Sequence, residues 1–209
     1  MEEREKKIQK ASAVAWILNG SLAAVKIAGG MLGRSSSMLA DGIHSLADLA
    51  GDSIVLFFLW LSQKTGKSFR KSGYEKTATL IVALVLLVFA GELLSDAVEK
   101  VREIIGGASV EAPGMIAIIA GLVSIAVKEF VYRYMTKVAD ETESAVLKAN
   151  AWHSHADVLS TIAAIVAIFI ARTAGNIWAV LDPLAGCAIS IMIIVIAVKT
   201  AVPFLKKED

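Results

Sequence analysis

Long apolar runs separated by short polar breaks dominate this sequence. Six runs, at roughly 11–31, 37–61, 77–98, 113–135, 145–171 and 178–201, come near the length of about 20 residues that a helix needs to cross a hydrocarbon layer. Turn and breaker residues fill the gaps, at 33–37, 66–73, 106–113 and Gly175. Membrane-spanning strands would demand short alternating segments, whereas LIVALVLLVFA at 80–90 is continuously apolar. The pattern predicts an all-α integral membrane protein, with six transmembrane helices bundled into a single domain over residues 1–209. No gap is large enough to fold separately.

Composition agrees, with 56% hydrophobic residues and a mean hydropathy of +0.65. The net charge of +1 provides no basic field for nucleic acid, which is excluded as a partner. Lysine and arginine are nonetheless unevenly spread. Fifteen flank one set of helix ends, against only Arg34, Lys100, Arg102 and Arg172 at the other. Positive residues stay on the cytoplasmic side, so both termini are expected there, and a prokaryotic cell (inner) membrane is the expected location. Trp60, Tyr74, Tyr132, Tyr134 and Trp178 fall near span ends, as interfacial aromatics do. The charged residues 1–10 lead into an apolar run too long for a signal-peptide core and are expected to be retained.

Ionisable residues inside a bilayer cost several kcal/mol, so they face the bundle interior and act there. In the second span Asp41, His44, Asp48 and Asp52 lie on one side of the helix; in the fifth, Asn150, His153, Asp157 and Ser160 do the same. His44 with Asp48, and His153 with Asp157, repeat the spacing HxxxD, which sets an imidazole and a carboxylate one helical turn apart. Two such helices facing each other offer two nitrogens and two oxygens, a tetrahedral shell suited to zinc, cadmium or cobalt. Magnesium or calcium would require mostly oxygen. With only Cys187 available, thiolate ligation is excluded. A single intramembrane His–Asp pair is often a structural hydrogen bond or a proton relay; the repetition is what points to metal.

The strings SSSMLADGIHSLADLAGD at 35–52 and KEFVYRYMTKVADETESAVLKANAWHSHAD at 128–157 resemble the signatures of the cation diffusion facilitator family of metal transporters. Asn19 and LDPLAG at 181–186 also fit. The resemblance implies that His44, Asp48, His153 and Asp157 are the four ligands of a transport site of the zinc type. It further implies export of divalent metal and a homodimer. Family members usually carry a cytosolic C-terminal domain of ferredoxin-like fold, which this chain, ending at Asp209, is expected to lack. A histidine motif common in the family's loop between helices two and three is replaced by SFRKSGYEK at 68–76.

Two carboxylates balance a divalent ion, and two protons on His44 and His153 replace it when it leaves, so exchange of metal for protons is expected. No chemical reaction and no resident cofactor are expected; an intramembrane metalloprotease would need a motif such as HExxH, which is absent. Two competing functions remain: the same fold moving iron or manganese, and a membrane subunit or sensor that binds metal without moving it. Around the four residues, Asp41 orients His44, lies on the entry path, or caps its helix near the outer loop. Asp52 is a cytoplasm-side relay or a helix-to-helix hydrogen bond. Asn19 joins them on the expected path, and Lys26 shares its face. Lys26 and Lys128 need partners inside the spans, and structural roles are expected for both. Glu92, Asp96, Glu99 and Glu103 draw cations outward or form a solvated helix end. His155 lies about 200° around the helix from His153 and is left out of the site.

Overall fold

The computed structural model describes residues 2–65, 74–108 and 111–205. Six long helices make up the described residues: α1 (Glu2–Leu32), α2 (Ser36–Thr65), α3 (Tyr74–Ile105), α4 (Met115–Thr142), α5 (Ala145–Thr173) and α6 (Leu181–Leu205). A short 3-10 turn, Asn176–Val180, leads into α6 after Gly175, whose φ of +96° is a conformation glycine adopts without penalty. The all-α membrane bundle expected from the apolar runs is what forms. Most helices outrun the predicted spans, because polar ends continue as helix beyond the apolar segment.

Five of the helices contain stretches long and apolar enough to cross a bilayer: Lys6–Leu32, Thr79–Ile105, Met115–Thr142, Asn150–Thr173 and Ile177–Lys199. This count is of the described residues; α2, also expected to span, has its side chains at 51–52 and 54–65 outside them. The side chains of Asp52, Trp60 and Tyr74, and all of 68–73 within the SFRKSGYEK segment, lie outside the described residues.

Successive helices run up and down. The start of α1 meets the α4–α5 connection, where Arg4 Nε donates to Thr142 O at 2.6 Å. At the opposite end Gly114 N donates to Gly33 O at 2.7 Å, which joins the end of α1 to the start of α4. Helix α4 packs against α1 and α5, α3 packs against α6, and α2 touches α1, α3, α5 and α6. The axis of the bundle is therefore lined largely by α2 and α5. Ala11, Ala15, Val131, Met135, Leu147 and Ala151 close one end of the α1–α4–α5 group, and Ala40, Ala47, Leu86, Ile189 and Ile193 fill the space between α2, α3 and α6.

Small residues permit the closest of these approaches. A Cβ at Gly30 would lie 2.5 Å from the backbone nitrogen of Leu39 on α2, and one at Gly33 would lie 2.8 Å from Ala117 Cβ on α4. The GxxxG of Gly29 and Gly33 therefore marks a real contact, with α4 supplying the matching alanines Ala117 and Ala120.

The N-terminus of α2 is fastened by a carboxylate from another helix. Asp182, 2% exposed at the start of α6, accepts from Ser35 Oγ (2.7 Å), Ser36 N (2.7 Å), Ser37 N (3.3 Å) and Ser37 Oγ (2.5 Å). A negative charge at this point satisfies orphan backbone donors and complements the helix dipole. Hydrogen bonds to a charged group contribute about 1.5–3 kcal/mol each, so Asp182→Ala is expected to destabilise the protein by more than about 3 kcal/mol. Thermal unfolding in detergent checks this; an unchanged melting temperature would contradict the role.

Candidate metal site

Helical periodicity brings the polar stripes of α2 and α5 to the same place. On α2, His44 Nε2 lies 3.6 Å from Asp48 Oδ2, and His153 Nε2 on α5 lies 3.7 Å from the same oxygen. One ligand atom each from His44, Asp48 and Asp157 falls within a mutual distance of 4.8 Å. Three of the four sequence-predicted residues thus gather across the α2–α5 interface, and the fourth, His153, approaches Asp48 but lies outside that group.

Their environments differ. His44 is 8% exposed, and the Asp157 side chain 13%, whereas the His153 side chain is 58% exposed and sits at the rim. The decisive feature is Asp48 Oδ2, which is buried and has no hydrogen-bond partner among the described residues. An unpaired carboxylate oxygen is costly in an apolar interior. Here it sits between two imidazoles at distances too long for hydrogen bonds. A cation bound between these groups would satisfy it.

The two α5 residues have different partners. His153 turns toward Asp48 on α2, and Asp157 Oδ2 is instead held by Lys128 Nζ from α4 at 2.5 Å. Sequence reasoning gave Lys128 only a structural role; its intramembrane position was the available signal that it needed an acidic partner.

Asp41 has a partner that none of the expectations named. Rather than capping α2, a task that falls to Asp182, it is fully buried and ion-paired to Lys26 at 2.8 Å. It also accepts from Ser160 Oγ (2.7 Å) and Thr161 Oγ1 (2.8 Å), while Lys26 Nζ donates to Ser45 Oγ (3.2 Å) and Thr161 Oγ1 (2.8 Å). This network ties α1, α2 and α5 together beside the four residues. Asn19 is half-buried, and its Oδ1 has no hydrogen-bond partner among the described residues. Trp16 Nε1 bonds Ser53 Oγ at 3.1 Å and Gly20 packs on Leu49, so Asn19 lies level with the turn of α2 that follows Asp48. Asn150 is exposed. His155 stays apart as expected, 3.4 Å from Glu129 and against the rings of Tyr132 and Trp152.

At the end where α2 begins, a cleft of about 820 Å³ takes in Glu92, Asp96 and Glu103 of α3, with Asp96 paired to Lys100 at 2.9 Å. The acidic run of α3 therefore opens onto a shared space.

The sequence profile of the cation efflux transmembrane domain matches residues 12–206, and the chain belongs to the cation efflux family. It is 31% identical over 172 residues to the manganese efflux system protein MneP of Bacillus subtilis, covering 81% of this chain and 56% of that protein. It is 30% identical over 173 residues to the magnetosome protein MamB of a Magnetospira species, covering 81% and 57%. Against the mitochondrial metal transporter 2 of Saccharomyces cerevisiae it is 32% identical over 181 residues, covering 74% and 37%. The chain spans about half the length of the first two relatives and less of the third. Members of this family transport metal cations, and the chain is a multi-pass integral membrane protein.

The buried Lys26–Asp41 pair yields a stability test. Removing one member strands the other's charge, which costs about 3–5 kcal/mol, whereas removing both together costs much less. Lys26→Met and Asp41→Asn should each lower the thermal midpoint more than the double variant does. A double variant as unstable as the sum of the singles would show that the pair is not coupled.

Proposed function

We propose that this protein exports divalent transition-metal ions, zinc foremost and cadmium or cobalt with it, from the cytoplasm in exchange for protons, with both termini on the cytoplasmic side. His44, Asp48, His153 and Asp157 are its metal ligands. The observation that carries the reading is the unpaired Asp48 Oδ2 between two imidazole nitrogens, with Asp157 in reach. Two nitrogens and two oxygens make a donor set that zinc accepts in tetrahedral geometry. Metal requires neutral imidazole, so loading expels protons and weakens as pH falls. Protons from outside then displace the ion. Asn19, with its unsatisfied oxygen beside the turn after Asp48, and Asp52 on that same face mark the cytoplasmic approach. The acidic cleft at the other end receives the released ion. A second copy of the chain is its expected partner, as the family resemblance implies.

Manganese is the second reading, favoured by the relative named as a manganese efflux system protein. The ligands argue against it as the main cargo, because imidazole suits zinc better than the harder manganese ion. His44→Asp should therefore shift selectivity from zinc toward manganese, as measured by competitive uptake into proteoliposomes. Unchanged selectivity would remove His44 from the choice of metal.

Transport itself is tested in the same vesicles. Zinc flux should rise with an opposing pH gradient, and Asp48→Asn should lower zinc affinity by more than about a hundredfold, exceeding the effect of losing an outer partner. Equal flux with and without the gradient would eliminate proton exchange. Zinc that is bound but never moved would favour a sensor instead.

A further inference from the structure

Lys128 is the cationic group that the proposed ligand set does not use. Its side chain is 3% exposed, and its Nζ sits on Asp157 Oδ2 at 2.5 Å. The other intramembrane lysine is fixed on several sides, since Lys26 Nζ contacts Asp41, Ser45 and Thr161. Among the described residues the polar contact of Lys128 is to Asp157 alone. One turn earlier on the same face of α4, Ser124 is fully buried and its Oγ has no hydrogen-bond partner among the described residues. Long helical side chains lean back over the preceding turn, which is where Ser124 lies. The ammonium therefore has one acceptor on α5, Asp157, which it occupies, and a second on its own helix, Ser124, left open.

We propose that Lys128 is a tethered counter-ion of the metal site: its ammonium holds Asp157 when no metal is bound, and moves toward Ser124 when a divalent cation takes the carboxylate. The inference rests on the assignment of Asp157 as a metal ligand. Two cations on one carboxylate repel strongly in a low-dielectric interior, so ammonium and metal exclude each other there. Without metal, the lysine spares Asp157 the cost of an unpaired buried charge. With metal, the flexible four-carbon stem lets the ammonium withdraw without unfolding α4. The exchange keeps the site ready for a doubly charged ion, which can displace the tethered cation where a singly charged one competes poorly. It also returns the lysine to Asp157 as the metal departs, which assists release.

Zinc affinity of the full chain in detergent, measured by competition with a chromophoric chelator, tests the inference. Lys128→Met removes the competitor and should tighten zinc binding about tenfold or more. Lys128→Arg should weaken it, because a guanidinium forks across both carboxylate oxygens and yields them less readily. A lysine that merely pins α4 to α5 would produce no such opposite pair of shifts. Asp157→Asn serves as the control. If it binds zinc as tightly as the unaltered protein, the ligand assignment itself fails. If it loses zinc while Lys128→Met binds no more tightly than the unaltered protein, the counter-ion role alone is overturned. Should Lys128→Met not fold, as judged by its helical signal and melting in zinc-free buffer, Lys128→Arg decides, and unaltered affinity in that variant overturns the proposal.

Discussion

Burying charge inside an apolar bundle is the constraint on which the rest of this fold depends. Three carboxylates, Asp41, Asp48 and Asp157, and two ammonium groups, Lys26 and Lys128, are drawn together where α1, α2, α4 and α5 meet. Each would be prohibitively costly facing lipid. Two of the carboxylates are matched one to one with a lysine, and the third, Asp48, has only imidazoles for neighbours. That mismatch leaves an excess of one negative charge when the histidines are neutral. The Lys26–Asp41 pair ties the bundle together, and in the proposed function Asp48 and Asp157 form the place for a mobile cation. Stability and function are thus divided between neighbouring carboxylates that look alike in the sequence.

The supporting structure follows from keeping that interior rigid. Glycines at 30 and 33 let α1 lie directly on α2 and α4, and Asp182 fastens the start of α2 to α6. Both devices act on α2, the helix that carries His44 and Asp48. A ligand set spread over two helices can bind a small ion tightly only if those helices keep their register. Side chains mounted on well-anchored helices satisfy that need better than loops would.

Much of this was legible in the sequence because a helix spaces its side chains regularly. The stripes of α2 and α5 could be read from spacing alone, and the six apolar runs became six helices. What periodicity cannot supply is the partner across an interface. Spacing puts His153 and Asp157 on one face of α5, but it does not show that His153 approaches Asp48 or that Asp157 meets Lys128. Asp41 was expected to serve His44, the entry path or a helix end; only the approach of α1 reveals Lys26 as its partner. Asp182 lies nearly 150 residues from the serines that it holds, and the string LDPLAG pointed to family membership without showing what the carboxylate does. The order of the helices was encoded locally, whereas the charge pairing emerged only from their contacts.

Members of the cation efflux family transport metal cations, and in the proposed function the identity of the ion rests on the inner ligands. X-ray absorption at the zinc edge, on the full chain reconstituted in lipid and loaded with one equivalent of zinc, addresses those ligands directly. The account predicts a four-coordinate shell of nitrogen and oxygen at about 2.0–2.1 Å, with the outer scattering of two imidazole rings. A shell of oxygen alone, or one containing sulfur at about 2.3 Å from Cys187, would contradict it.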